Sequence, residues 1–149
     1  MWIDLMSAQA ADAEQLAMLR IGAMRESLVR IGRFDLQRSR DRFLSTFSPD
    51  DTRHIIVDRL RVGFVVMKPT DSGCLLDHLY VLPDYQNRGI GTWVLQQLFA
   101  EADQQLHDIR VGALKESTAN EFYLRHGFVL VETTAWDNYY VRLSTNPSR

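Results

Sequence analysis

The stretch Leu75-Leu-Asp-His-Leu-Tyr-Val-Leu-Pro-Asp-Tyr-Gln-Asn-Arg-Gly-Ile-Gly-Thr92 runs from an apolar strand through a glycine-bearing turn into an amphipathic helix. Gly89 and Gly91 let the backbone come close to a ligand. Thr92 and the residues after it open a helix whose first N–H groups have no partner inside the helix. A row of such donors, with the positive end of the helix dipole behind it, holds an anion without needing a lysine. The dinucleotide fingerprint G-x-G-x-x-G fails because Val94 stands where the third glycine belongs, and no G-x-x-x-x-G-K-[ST] loop occurs. The turn therefore predicts a phosphate-bearing ligand of another kind.

Working outward, Met1 to Leu5 alternates as a short edge strand. Asp12 followed by Gln15 reads as a capping box, and Leu16, Leu19, Ala23, Met24, Leu28 and Ile31 return on one helical face until Gly32. Asp35 caps a second helix carrying Leu36, Phe43, Leu44 and Phe47, which Ser48-Pro49 ends. His54 to Val57 and Val62 to Met67 predict an antiparallel hairpin across Asp58-Arg-Leu-Arg61. Thr70-Asp-Ser-Gly73 then turns into the strand Cys74 to Leu82.

Beyond Gly91, the residues Val94, Leu95, Leu98, Phe99, Ala102 and Leu106 keep a helical period, with Gln96, Gln97, Asp103 and Gln104 on the solvent side. Strand Ile109 to Leu114 completes a βαβ unit, expected to be right-handed. Ser117 caps a shorter helix with Ala119, Phe122 and Tyr123, which Gly127 terminates. Phe128 to Val131 and Tyr139 to Leu143 supply the last strands, with Asp137-Asn138 near their turn, and Ser144 to Arg149 read as a loose tail. The order β, α, α, β, β, β, α, β, α, β, β predicts an α/β (α+β) mixed sheet in a single domain spanning residues 1–149.

Composition removes several classes of function. Apolar residues at 46%, charged residues at 24% and a formal charge of -2 describe an ordinary globular chain with no electrostatic pull toward nucleic acid. Arginine far outnumbers lysine, and the runs Arg30-x-x-Arg33 and Arg38-x-Arg40-x-Arg42 read as solvated helix faces. The one cysteine, Cys74, cannot close an internal disulfide and sits at the start of an apolar strand, where packing outweighs nucleophilic chemistry. His54, His78, His107 and His126 lack ligand spacing, so no metal is expected. No basic-then-apolar leader or long apolar run is seen, so the expected location is the cytoplasm, away from membrane.

Gln86-Asn-Arg-Gly89-Ile-Gly91, set after Leu79-Tyr80-Val81-x-Pro83 and before a long helix, resembles the acetyl-CoA-binding motif of the GNAT (Gcn5-related) N-acetyltransferase superfamily. The element order resembles the GNAT fold over nearly the full chain, which implies a mostly antiparallel, twisted sheet of about seven strands flanked by about four helices. A second stretch, Ser117-Thr-Ala119-Asn-Glu-Phe122-Tyr123-Leu-Arg-His-Gly127-Phe128, is similar to the family pattern N/S-x-A-x-x-(F/L)-Y-x-x-x-G-F. Ser117 takes a position often filled by Asn.

The resemblance implies acetyl-CoA as cosubstrate, its pyrophosphate held by Gln86, Asn87, Arg88, Gly89, Ile90, Gly91 and Thr92. It implies that the backbones of Leu79, Tyr80 and Val81 pair with the pantetheine arm, and it places Ser117, Ala119, Phe122 and Arg125 near the cofactor. Arg88, Arg125 and Lys115 are candidates for the outer phosphate. By the same resemblance Tyr123 protonates the departing thiolate, a task a phenol of pKa about 10 can perform. The base is Asp77, on the likeness to diamine acetyltransferases, or His78, whose ordinary pKa of about 6.5 suits the chemistry better.

For the acceptor amine, Glu26, Phe34 and Asp137 are the candidate contacts. The implied activity is acetyl transfer to a primary amine of a small molecule or peptide in one direct step, without an acyl-enzyme on Cys74. Two other classes stay open: an idle acyl-CoA-binding or sensor module, and a cofactor-free interaction domain. Trp2, Trp93 and Trp136 are compatible with a homodimer.

Overall fold

A computed structural model describes residues 1–30, 32 and 35–145, with the side chains of residues 23, 24, 26, 27, 28 and 30 outside the description. Among the described residues the chain forms four α-helices, α1 (Ala13–Arg30), α2 (Leu36–Thr46), α3 (Ile90–Gln104) and α4 (Ala119–Arg125). The seven strands are β1 (Ile3–Ser7), β2 (Thr52–Val57), β3 (Leu60–Thr70), β4 (Gly73–Val81), β5 (Asp108–Leu114), β6 (Val129–Thr133) and β7 (Asp137–Arg142). They lie in one sheet ordered β1-β2-β3-β4-β5-β7-β6. The expected sequence of elements is therefore present. Ala23, Met24, Leu28 and Ile31 of the expected helical stripe lie outside the described side chains, as does the tail from residue 146.

The chain divides into two compact units, Met1–Val66 with His78–Ile90, and Met67–Asp77 with Gly91–Arg149. In the first unit, Ala8, Leu16, Ala17, Leu19, Phe43, Phe64 and Val66 form a buried cluster flanked by Leu44, Phe47, Tyr80 and Leu82. A 3₁₀ turn, Ala10–Asp12, precedes α1, and the capping box belongs to it: Asp12 Oδ2 accepts from the N–H of Gln9 at 2.8 Å, so Asp12 pairs with Gln9 and not with Gln15 as expected. His54 Nε2 meets the same oxygen at 2.9 Å, and the backbone bond and this histidine hold the Asp12 carboxyl below its ordinary pKa. Asp35 caps α2 as read, accepting from Arg38 N at 3.0 Å, and Arg40 pairs with Glu14 between the two helices.

The hairpin β2–β3 is longer than the sequence suggests, with Val57 opposite Leu60 and Thr52 opposite Val66. Its turn is only Asp58-Arg59, both with positive φ (48° and 74°). Two-residue hairpin turns of type I′ require that geometry, and here it is met without glycine. Asp58 is held in place by reciprocal bonds with Trp2: Asp58 N donates to Trp2 O, and Trp2 N donates to Asp58 Oδ1, both at 2.9 Å.

In the second unit β4 and β5 are parallel, with Gly73 opposite Asp108 and Leu76 opposite Val111. This is the expected βαβ connection through α3. Val94, Leu95, Leu98 and Ala102 of α3 are buried, as are Ile109 and Val111 of β5. Two α3 expectations are corrected. Leu106 lies past the helix end with φ 57° and is 44% exposed. Asp103 is no free solvent-side residue: Arg142 grips its carboxylate in two bonds of 2.8 and 3.1 Å, and Thr145 adds bonds of 2.9 and 3.1 Å. Arg142 in turn stacks 4.0 Å from the Phe99 ring. The last strands also shift. Phe128 precedes β6 and is buried, while Asp137 and Asn138 lie inside β7, not in the turn.

Candidate functional site

The loop between β4 and α3 is assembled from local bonds in the first unit. Pro83, whose fixed φ suits the start of a 3₁₀ turn, begins Pro83–Tyr85, closed by Tyr85 N to Leu82 O at 2.9 Å and Gln86 N to Pro83 O at 3.2 Å. Gln86 turns its side chain inward, donating from Nε2 to the carbonyl of Val81 at 2.9 Å. Asn87 (φ 63°) and Gly89 (φ 80°) are both left-handed. A backbone alternating through such residues turns N–H groups outward as an anion cradle. A Cβ built on Gly89 would meet nothing within 4 Å, so glycine is there for its φ and the space beside it stays open. The Arg88 guanidinium lies 5.2 Å from the Tyr85 ring.

In the same unit the end of β4 makes a close approach to β3. A Cβ on Gly63 would lie 2.1 Å from the carbonyl oxygen of Tyr80, and Leu82 N donates to Val62 O at 2.8 Å. Glycine inside a strand marks such contacts; the residue thus sets where the backbone of Leu79–Val81 runs. His78 and Tyr80 share a face, with His78 Nδ1 3.4 Å from the Tyr80 hydroxyl. The His78 ring sits among Phe43 (5.4 Å), Phe64 (6.1 Å) and Tyr80 (5.6 Å). The other candidate base, Asp77, belongs to the second unit and pairs with Lys68 at 3.3 Å.

The first turn of α3 in the second unit meets α4. A Cβ on Gly91 would come within 3.1 Å of Phe122 Cζ, and Thr92 Oγ1 lies 3.0 Å from His126 Nε2. Tyr123 is 6% exposed and packs on Phe122, Phe128 and Tyr140, with ring centroids 5.4, 5.2 and 6.4 Å away. The expected cap of α4 is Ser117, but the N-cap position is Thr118, which makes no side-chain cap bond; Ser117 Oγ, one residue earlier, accepts from Ala119 N at 3.1 Å. Arg125 and Lys115 are exposed. Asn120 is a hub: its Nδ2 donates to the carbonyls of Leu114 and Ser117, both at 2.8 Å, while its Oδ1 accepts from Asn138 (3.0 Å) and the Tyr140 hydroxyl (2.7 Å).

Of the acceptor candidates, Asp137 opens β7 opposite Leu114; its N–H and carbonyl both bond Thr134. Phe34 and the side chain of Glu26 lie outside the described residues. The Cys74 thiol, half-buried and 3.5 Å from His107 Nδ1, is pushed above its ordinary pKa by burial and by Glu101, the opposite of a nucleophile's environment. Sequence reading missed Gly63, Lys68, Asn120 and His126 as shapers of these groups. Only Gly63 carried a signal, being a glycine inside a β-branched run.

Comparison with known proteins bears on this arrangement. A family model described as an acetyltransferase (GNAT) domain matches residues 50–130, more than half of the chain. The fold is similar to a PaiA N-acetyltransferase from Thermoplasma acidophilum in complex with coenzyme A, at 17% identity and TM-score 0.79, covering 96% of this chain and 99% of that one. It is also similar to an acetyltransferase from Thermus thermophilus, at 18% identity and TM-score 0.75, covering 96% and 97%. A GNAT-family acetyltransferase from Staphylococcus aureus aligns at 16% identity and TM-score 0.74, covering 97% and 100%. Comparison with curated protein sequences returns no match. With the element order, the glycine-bearing loop and the family match in agreement, the chain belongs to the GNAT acetyltransferase family.

Proposed function

We propose that this chain moves an acetyl group from acetyl-CoA to a primary amine of a small molecule or peptide in one direct step. The observation that carries the reading is the left-handed pair Asn87 and Gly89, with open space beside Gly89, leading into α3. The residues fit a diphosphate: the N–H groups from Asn87 to Thr92 and the helix dipole supply donors without a buried cation. Gln86 serves by bracing the loop through Val81. Leu79, Tyr80 and Val81 are assigned to the pantetheine arm through their backbone, and Ser117, Ala119, Phe122 and Arg125 are assigned to the cofactor by the family resemblance. The likeness to a coenzyme A complex supports this assignment.

Acetyl-CoA supplies an activated thioester. Tyr123 donates its phenolic proton to the departing thiolate, stabilising charge that appears only as the bond breaks. An amine of pKa about 10.4 must first lose a proton, which accounts for roughly 4 to 5 kcal/mol of the barrier at neutral pH. Asp77, beside Lys68, or His78, beside Tyr80, accepts it directly or through water. Glu26, Phe34 and Asp137 are proposed for the acceptor side, where an acid suits a cationic amine.

The test is a free-thiol release assay with acetyl-CoA against a panel of diverse amines, with product mass naming the acceptor. Tyr123→Phe is expected to lower kcat by about a hundredfold while the affinity for acetyl-CoA holds. Tight acetyl-CoA binding with no thiol release from any amine would instead identify an idle acyl-CoA-binding module. Absence of any thermal shift with millimolar coenzyme A would reject the acetyl-CoA site altogether.

A further inference from the structure

We propose that His126 is a positioning residue for the diphosphate of the acyl carrier, acting through Thr92 and taking up a proton as the carrier binds; this rests on the acetyl-CoA reading above. His126 Nδ1 lies 2.8 Å from the carbonyl oxygen of Phe122. A carbonyl can only accept, so Nδ1 carries a hydrogen. In the neutral ring Nε2 is then the acceptor, and Thr92 Oγ1, 3.0 Å away, gives it the only hydrogen that hydroxyl has. Thr92 therefore presents lone pairs to an anion arriving at the first turn of α3. Protonation of Nε2 reverses the bond: Nε2–H donates to Thr92 Oγ1, and the hydroxyl hydrogen is released to donate to a phosphate oxygen. The proton comes from solvent, and no bond between heavy atoms changes.

The surroundings favour that exchange. The Phe122 ring lies 4.7 Å from the His126 ring, a contact that tolerates a cationic imidazole. Residues 90–94 of α3 bring no charged side chain to it, and the charged residues of its own helix, Glu121 and Arg125, are exposed. The charge that changes most at His126 on binding is therefore the ligand's own. Gly91 keeps the two helices close: its Cβ would press on Phe122 Cζ at 3.1 Å, displacing the ring that borders His126.

The deciding experiment is titration calorimetry of coenzyme A binding to the full chain, from pH 6 to 8.5 in buffers of different ionisation enthalpy. Wild type is compared with His126→Gln and Thr92→Val, each checked for cooperative melting. Coenzyme A's own phosphates titrate in all three, so the difference isolates the histidine. Wild type is expected to take up close to one proton more than either variant. Its Kd should rise by about tenfold per pH unit on the alkaline side of the histidine titration, and both variants should give flatter profiles. If His126→Gln does not fold, Thr92→Val, which keeps the side-chain shape, decides alone. Equal proton uptake and equal pH slopes overturn the proposal and leave the acetyl-CoA site standing. Failure of wild type to bind coenzyme A overturns both.

Discussion

The two units obtain their geometry by different means. In the first, the decisive features are backbone: Gly63 giving way to the Tyr80 carbonyl, Asn87 and Gly89 in left-handed conformations, and the Asp58-Arg59 turn. In the second, they are side-chain hubs: Asn120 collecting α4, β5 and β7, Asp103 holding Arg142 and Thr145, and His126 holding Thr92. Backbone devices act within a few bonds or demand empty volume. Side-chain hubs act by satisfying polar groups that burial would otherwise leave costly. The two kinds of construction should fail differently.

The largest effect is expected from Gly63→Ala. Its Cβ would sit 2.1 Å from a carbonyl oxygen, which no rotamer relieves, so a loss above about 4 kcal/mol in denaturant unfolding is expected. A loss below about 1 kcal/mol would mean that β3 and the Tyr80 backbone separate easily, and the contrast between units would weaken. Next comes Asn120→Ala, expected to cost about 2 kcal/mol, because the hydroxyl of the 2% exposed Tyr140 loses its acceptor while the carbonyls of Leu114 and Ser117 each lose one of their donors.

Asp103→Asn follows at about 2 kcal/mol, with a pH signature. Its pKa is lowered from 3.8 to about 2, chiefly by the Arg142 bonds. A depressed carboxylate stabilises the fold fully above its unfolded pKa and loses that contribution as pH falls through the folded value. Wild type should therefore lose about 2 kcal/mol between pH 5 and 2 that the Asn variant does not lose; parallel acid profiles would remove Asp103 from the account. The smallest effect on folding is expected at Gly89→Ala, where no atom is in the way and only the positive φ costs about 1 kcal/mol. Its signature is functional: KM for acetyl-CoA should rise about tenfold, and an unchanged KM would count against the cradle.

The same division explains what the sequence made legible. The Gly89-Ile-Gly91 loop, the apolar period of α3 and the Asp35 cap were readable because cause and effect lie within one turn of chain. Asp103 misled because an acid on a helix flank looks solvated, while its partner Arg142 stands 39 residues away. His126 and Thr92 are 34 residues apart, and nothing in either neighbourhood announces the other. Leu106 satisfied the helical period, but the chain turns left-handed there and the helix has already ended. The Asp58-Arg59 turn hid for a simpler reason: it lacks the glycine by which such turns are usually recognised.

The environment of Cys74 has a practical side. Burial and Glu101 push this thiol above its ordinary pKa, which lowers its share of the thiolate that attacks disulfide dyes. With no second cysteine in the chain, the protein contributes a slow background to colour development. If the proposed activity holds, a dye-coupled readout would register released carrier thiol with little competition from Cys74.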